Sequence, residues 1–294
     1  MHHHIAFGLK WDSDIALEQF ARGDFDGPAD VTVRRTAGPL PPREEQRAMD
    51  NAILCTDGVR FSAGDEAVFD LYTPGRVDWL PGPGWTGRLP VQFYGTLAAL
   101  LLAWRGGVPI HGSSVEIDGR AWLICGDSGA GKSTLAAALI ASGAARLIAD
   151  DLSTLEAGPG GAPFLYPGRP AIRLFPALAD LMAEAGSEVR DDPGNDKRLV
   201  LPRRADPLAA IPLAATIVLG NDVESMPKWR RSAFLDTQIF RPRWMWAIPG
   251  WRERFGLLHY AGTSLPMLSL GAADIRDGRA FRARAADALS RLQS

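Results

Sequence analysis

Several residue types are scarce in this 294-residue sequence, and each scarcity excludes a class of protein. Only two cysteines occur, Cys55 and Cys125, which excludes a disulfide-dense secreted scaffold and predicts a reducing, cytoplasmic location. The longest apolar runs, 97–104 and 208–220, are too short to span a bilayer, so we predict no membrane partner. The formal net charge of −2 provides no general attraction to nucleic acid, and we predict no nucleic-acid partner.

Lysine is scarce as well, and its positions are informative. The chain has four lysines, Lys10, Lys132, Lys197 and Lys228, whereas every other permanently cationic side chain is arginine. A compact ammonium suits a phosphate-binding loop better than a planar guanidinium does. Lys132 stands at the lysine position of such a loop motif, so its retention supports a functional interpretation.

Residues 126–133 fit the Walker A pattern Gly-x-x-x-x-Gly-Lys-[Ser/Thr]. The apolar run 121–125 predicts a buried strand before the loop, and the run 135–141, rich in alanine and leucine, predicts a helix after it. Glycines let the backbone wrap around phosphates, and the helix N-terminus directs N–H groups at them. The alternative is a glycine-rich strand-to-helix turn that binds nothing.

The motif predicts ATP and Mg²⁺ as ligands, with Lys132 reaching the outer phosphates as a catalytic cation and the Ser133 hydroxyl binding the metal. The predicted nucleotide-binding residues of the loop are Gly126, Asp127, Ser128, Gly129, Ala130, Gly131, Lys132, Ser133 and Thr134.

Two adjacent carboxylates, Asp150 and Asp151, follow the short apolar run 146–149, which predicts another strand. Strands that run parallel to the P-loop strand end at the same sheet edge, so we expect both carboxylates near the phosphates. One carboxylate can hold Mg²⁺, and the other can accept a proton from an attacking hydroxyl. The alternative is a solvated Asp-Asp turn.

His111 lies in the run 108–117, which predicts one strand paired through a tight turn with the P-loop strand. Its position favours a donor or a proton relay near the phosphates. A single histidine is more often structural, and the sequence leaves that alternative open.

The sequence divides into two predicted parts. Short β-leaning runs, such as 5–11, 29–35 and 67–71, separated by Gly/Pro-rich breaks, predict a small β-rich N-terminal module over residues 1–85. Residues 86–294 predict an α/β P-loop domain, which begins with a buried helix over 89–104.

Four motifs together resemble the bacterial HPr kinase/phosphorylase family. They are Ile-His-Gly at 110–112, Ile-Asp-Gly at 117–119, the P-loop at 126–134 and Arg-Leu-Ile-Ala-Asp-Asp at 146–151. The resemblance covers residues 97–155 well and 167–199 weakly. It implies the C-terminal fold of that family, a homo-oligomer such as a ring or a dimer, and transfer of a nucleotide phosphate to a serine on a protein.

Carried over by position, the resemblance makes Asp150 the general base and Asp151 its partner near Mg²⁺. It makes Ser133 the metal ligand of the P-loop and His111 a catalytic helper.

The stretch 169–175 departs from the family, since it keeps an arginine but lacks the Glu and Gly of the family signature. This departure argues against the reverse, phosphorylase reaction. The start Phe-Gly-Leu at 7–9 and the Asp-Lys-Arg at 196–198 are more similar to HPr-kinase-related enzymes that phosphorylate lasso-peptide precursors. The acceptor that this resemblance implies is a seryl peptide or protein rather than HPr.

Three further cations are candidate nucleotide ligands. Lys197 and Arg198 lie in a polar, turn-rich segment that can fold over a nucleotide and stabilise charge on the transferring phosphoryl group. Arg173 is a cation on a predicted strand over 171–175 that faces either the phosphates or solvent. A solvated basic pair is the alternative for Lys197 and Arg198.

Aromatic and basic residues are mixed in 229–231 and 240–246, which predicts a peptide-docking surface or an oligomer contact. The alternatives are stacking on single-stranded nucleic acid and a core edge with arginines packed on tryptophans. Taken together, the sequence predicts an Mg·ATP-dependent serine kinase of α/β fold. The alternatives are a kinase of a small molecule such as free serine, and a regulatory module that binds a nucleotide without catalysis.

Overall fold

A computed structural model of the chain describes residues 1–192, 195–272 and 278–293, which form a mixed α/β protein. Strands β1 to β9 lie in the N-terminal part, at His2–Ala6, Leu9–Ser13, Ala21–Arg22, Val31–Arg35, Glu45–Met49, Ala52–Cys55, Gly58–Ala63, Ala67–Tyr72 and Arg76–Pro81. They form one sheet in the order β3-β1-β2-β4-β9-β8-β7-β6-β5. Strands therefore dominate this part, as its β-leaning runs predict.

Alternating burial explains why these residues form strands. In β7 the side chains of Val59 and Phe61 are buried, while the residue after each of them, Arg60 and Ser62, is partly exposed. Because successive side chains of a strand point to opposite faces, one face of the sheet is apolar and needs a partner. The predicted strand over 5–11 is wrong in one respect, since Phe7 and Gly8 turn the chain between β1 and β2.

The apolar face of this sheet packs on a buried helical segment, which is a π-helical turn at Phe93–Leu97 continued by α1 at Ala98–Trp104. The rings of Phe69 and Phe93 have centroids 5.5 Å apart across this contact. One hydrophobic core runs from the N-terminal sheet through this segment into the rest of the chain. The predicted domain boundary at residue 85 therefore lies beside a shared core, and the division itself stays a prediction.

A second sheet holds the strands β10 to β15, β19 and β20. Their bounds are Val108–Ile110, Ser113–Ile117, Arg120–Gly126, Arg146–Ala149, Ser153–Ala157, Pro163–Leu165, Ile211–Leu219 and Met267–Leu270. The order is β10-β14-β15-β19-β12-β11-β13, with β20 beside β19. The single strand expected over 108–117 is wrong, because the chain breaks at His111 and Gly112 and the two halves pair with different strands.

A third, small sheet contains β16 at Ile172–Leu174, β17 at Glu188–Asp191 and β18 at Arg198–Leu201, in the order β16-β18-β17. The remaining helices, α2 to α7, are Lys132–Ala141, Pro176–Glu184, Lys228–Thr237, Pro242–Met245, Trp251–Ser264 and Gly278–Gln293. The helices at 135–141, 176–184 and 280–292 were predicted within a few residues, whereas α4 to α6 were not predicted. In the described part of the chain, no helix has the length and apolar character needed to cross a membrane.

Candidate active site

One edge of the second sheet brings together three residues that are distant in sequence. Strand β11 lies between β12 and β13 and is antiparallel to both, so β12 and β13 point the same way. Gly126 ends β12, Asp150 follows β13, and Ser113 begins β11 at the same edge. The expectation that the acidic pair and the P-loop share a sheet edge is confirmed, although a third strand separates their strands.

The loop between β12 and α2 has a backbone that requires glycine. Gly126, Gly129 and Gly131 have φ angles of 144°, 82° and 96°. A Cβ atom on Gly126 would lie 2.8 Å from the carbonyl oxygen of Leu219, so that position also lacks space for a side chain. Helix α2 begins directly after the loop, and its first N–H groups have no partner within the helix. This arrangement suits an anion at the loop.

The Lys132 side chain lies across this loop. Its Nζ donates to the carbonyl oxygens of Gly126 at 2.8 Å and Asp127 at 3.1 Å. Burial lowers the pKa of Lys132, and the nearby carboxylates Asp150 and Asp151 act in the opposite direction. Two hydrogen bonds therefore hold the ammonium against the loop, and a phosphate oxygen can replace either carbonyl oxygen as its partner.

Asp150 is buried behind the loop and receives two hydroxyl groups. Its Oδ1 accepts hydrogen bonds from Ser113 Oγ at 2.6 Å and from Ser133 Oγ at 2.8 Å. Burial raises the pKa of Asp150, while both hydrogen bonds favour the ionised form and lower it. The bond from Ser133 joins the P-loop helix directly to the acidic pair.

Asp151 has a different environment from its neighbour. Its Oδ1 lies 3.2 Å from Nδ1 of His111, and the two side chains are 48% and 39% exposed. The hydrogen bond from His111 lowers the pKa of Asp151, so this carboxylate stays ionised at neutral pH. Asp151 has a φ of 68°, which a non-glycine residue rarely adopts and which often marks a functional position.

Gln238 was not predicted as a site residue, yet it holds two parts of the site together. Its side-chain Oε1 accepts from the N–H of Gly126 at 3.0 Å, and its carbonyl oxygen accepts from the N–H of His111 at 2.7 Å. Gln238 follows α4, more than one hundred residues from the P-loop, and no local motif marks it. Only the tertiary structure reveals this link.

Arg169 was also missed. It is 5% exposed, and its charge favours the ionised forms of Asp150 and Asp151, while burial and the charge of Arg173 lower its own pKa. Its Nε is buried and without a hydrogen-bond partner among the described residues. Its signal in the sequence was its place in the stretch 169–175, in which Arg173 was the predicted cation.

A cavity of about 250 Å³ opens in front of the P-loop. The predicted residues that line it are His111, Ser128, Gly129, Gly131, Lys132, Ser133, Thr134, Asp151, Arg173 and Lys197. Arg173 also pairs with Asp192 at 2.7 Å, and Nζ of Lys197 lies 5.0 Å from the ring centroid of Phe175 at the cavity wall.

Five predicted residues are placed elsewhere. Asp150 and Ala130 do not line this cavity, and neither does Arg198, whose guanidinium pairs with Asp180 at 2.7 Å and Asp191 at 3.6 Å. Gly126 and Asp127 line a second cavity instead. The nucleotide-binding role of Arg198 stays a prediction, and its present contacts direct its charge to the surface.

The second cavity has a volume of about 480 Å³. One wall is the P-loop residues 126–128, and the other is the segment 237–241. His111, Ser128 and Asp151 line both cavities, so the two spaces meet at the His111–Asp151 pair. A group bound in the second cavity therefore comes next to the first cavity at the half-exposed carboxylate of Asp151.

The oxygen donors around the first cavity suit a hard cation such as Mg²⁺. Ser133 supplies a hydroxyl, and Asp150 and Asp151 supply carboxylates, whereas Mg²⁺ takes one or two protein carboxylates together with phosphate oxygens. Within the described ranges, no cluster of three or more His, Cys, Asp or Glu residues has the geometry of a complete metal site. The donor set thus suits a metal that a phosphate ligand shares.

No protein-family model matches the chain, and no curated protein matches it. Among solved structures, the chain is similar to the Hpr(Ser) kinase/phosphatase from Coxiella burnetii, with 20% sequence identity and a TM-score of 0.27. The similarity covers 40% of this chain and 69% of that chain. A similarity of this extent carries no argument about activity, which has to come from the residues described above.

Proposed function

We propose that the protein transfers the γ-phosphoryl group of ATP to the hydroxyl of a serine in a peptide or protein. The observation that carries this proposal is the junction of the two cavities at Asp151 and His111. A Walker A loop lines one cavity, and an ionised, half-exposed carboxylate faces both. The more specific acceptor, a lasso-peptide precursor, is supported by the sequence resemblance alone.

Ser133 and Asp150 would hold Mg²⁺, and the ion would neutralise charge on the phosphates that it shares with the protein. Lys132 would exchange its bonds to Gly126 and Asp127 for phosphate oxygens. Arg169 keeps a buried positive charge behind the two carboxylates and limits their mutual repulsion. Preorganised charges of this kind supply much of the rate in phosphoryl transfer.

The contacts favour an exchange of the roles that the resemblance implies for the two aspartates. Asp150 is buried and bonded to Ser133, which is the position of a carboxylate that orients the metal ligands of a P-loop. Asp151 faces both cavities and stays ionised through its bond with His111. We therefore propose Asp151 as the group that accepts the proton of the acceptor hydroxyl, with His111 orienting it.

The test is transfer from γ-labelled ATP with Mg²⁺ to a panel of peptides that each contain one serine. Asp151→Asn should lower kcat by at least about 100-fold, the size of a general-base effect, and leave the Kd of ATP within about twofold. Asp150→Asn should mainly weaken Mg²⁺-dependent ATP binding. Lys132→Ala should abolish transfer.

Three results would contradict the proposal. Near-normal transfer by Asp151→Asn would remove its role as the base. ATP binding by the wild type without transfer to any peptide would support the regulatory module. Transfer to free serine in preference to every peptide would support the small-molecule kinase.

A further inference from the structure

The second cavity contains one cation without an ionic partner. Arg241 lies at the end of the wall 237–241 and is exposed, and no carboxylate among the described residues forms an ion pair with it. The other ionisable groups that line this cavity are His111, Asp127 and Asp151. Asp127 belongs to the opposite, P-loop wall, and His111 already bonds to Asp151.

The backbone and the neighbouring rings both hold Arg241 in place. Its φ and ψ angles are 48° and 63°, in the left-handed region that arginine rarely adopts. Its guanidinium carbon lies 5.9 Å from the ring centroid of Phe240 and 5.6 Å from that of Trp244. Stacking on two aromatic rings limits the freedom of the guanidinium and leaves its N–H groups available to a ligand.

The wall that carries Arg241 is attached to the catalytic groups. Gln238 bonds to the backbone of both Gly126 and His111, and Phe240 N–H donates to the carbonyl oxygen of Pro109 at 2.9 Å. The cation therefore has a set position relative to Asp151. An acceptor whose hydroxyl reaches Asp151 extends along this wall toward Arg241.

We propose that the second cavity is the acceptor subsite and that Arg241 selects a serine with a carboxylate close to it in the chain. This inference rests on the proposed function for the fate of the hydroxyl. The recognition itself is a charge-assisted hydrogen bond between Arg241 and the carboxylate of an acidic residue beside the serine. Asp127 would repel a peptide carboxylate that lay near the P-loop wall, so the acidic residue of the peptide has to lie beside the wall 237–241.

Peptide binding to the full chain with ADP and Mg²⁺ tests the subsite without requiring catalysis. The probe is a fluorescent peptide with one serine followed by two aspartates, compared by anisotropy with the same peptide carrying asparagines. The wild type should bind the acidic peptide about tenfold more tightly than the asparagine peptide. This ratio corresponds to the lower end of the free energy that a hydrogen bond to a charged group contributes, because Arg241 is exposed. Added salt should reduce this ratio.

The test variant is Arg241→Asn, because asparagine tolerates a positive φ better than most residues and removes the charge. This variant should bind the acidic and the asparagine peptide about equally. Arg241→Lys keeps the positive charge and should retain part of the preference for the acidic peptide. The control is Arg243→Gln, which removes a charge from an exposed residue of α5, two positions after Arg241, that does not line the cavity. It should keep the wild-type preference, and thermal melts establish that all variants fold.

Equal preference in the wild type and Arg241→Asn would overturn the proposal, as would an equal loss in Arg243→Gln. Displacement of the peptide by free serine in an Arg241-dependent manner would support the subsite and assign the carboxylate to a small molecule. If the protein transfers no phosphate but keeps Arg241-dependent binding, the proposed function fails and the subsite stands. If it transfers phosphate with no role for Arg241, the subsite fails alone.

Discussion

Replacement of Ser113 by alanine removes one of the two hydroxyl groups that donate to Asp150. The lost bond is short, 2.6 Å, and it ends on a carboxylate that is 7% exposed. Hydrogen bonds to charged groups contribute about 1.5–3 kcal/mol, whereas those between neutral groups contribute about 1 kcal/mol. We expect Ser113→Ala to lower the free energy of unfolding by about 2 kcal/mol when Asp150 is ionised.

The loss should depend on pH with a defined sign. Burial holds the pKa of Asp150 in the folded protein above the ordinary value of 3.8. The unfolded chain therefore loses this proton at a lower pH than the folded protein does, and the free energy of unfolding falls as pH rises from 3.8 through the folded-state pKa. Without Ser113 that pKa rises further, because one group that favours the ionised form is gone. The difference between variant and wild type should therefore be small at low pH and largest above the folded-state pKa.

Ser114→Ala is a matched control on the same strand. The Ser114 hydroxyl is buried as well, but its partner at 2.9 Å is the neutral hydroxyl of Ser153. Its loss should cost about 1 kcal/mol at every pH, the usual contribution of a neutral hydrogen bond. Urea unfolding followed by tryptophan fluorescence at a series of pH values measures both variants. Equal losses for the two variants at every pH would refute the reasoning, as would a Ser113→Ala loss that shrinks as pH rises.

Three other predictions follow from single contacts. Gly126→Ala should destabilise the fold by at least about 2 kcal/mol in urea unfolding, because its φ is 144° and the new Cβ would meet the carbonyl oxygen of Leu219. Arg254→Met should cost about 3 kcal/mol, since the buried guanidinium donates to four backbone carbonyl oxygens; an unchanged unfolding midpoint would contradict this. Lys197→Met should raise the Kd of ATP about fivefold in calorimetric titration, the loss of about 1 kcal/mol for an exposed charge pair, whereas Arg198→Met should leave it unchanged.

Local patterns predicted the elements around the P-loop well. The strand before it, the helix after it and the strand before the acidic pair are all present, because an apolar run between turn residues or a run of helix formers carries its own signal. The break at His111 was missed for the same reason. The apolar residues at 108–110 and the alternating residues at 113–117 both favour a strand, and only the pairing partners of the two halves differ.

The site was less predictable than the elements that carry it. Asp150 and Asp151 are adjacent in sequence, so no pattern distinguishes the carboxylate that bonds to Ser133 from the one that bonds to His111. The turn after β13, with Asp151 at a positive φ, directs the two side chains to different neighbours. Burial raises the pKa of Asp150, whereas the hydrogen bond from His111 outweighs burial and lowers the pKa of Asp151.

The sequence by itself determined the backbone of the loop 126–131, because the spacing of its glycines acts locally. It also determined the strand before this loop, the helix after it and the strand before the acidic pair, since these depend on neighbours along the chain. Only the tertiary structure decided that Arg169, Gln238 and Arg241 belong to the site. Their positions depend on contacts between segments far apart in sequence, and local patterns do not specify such contacts.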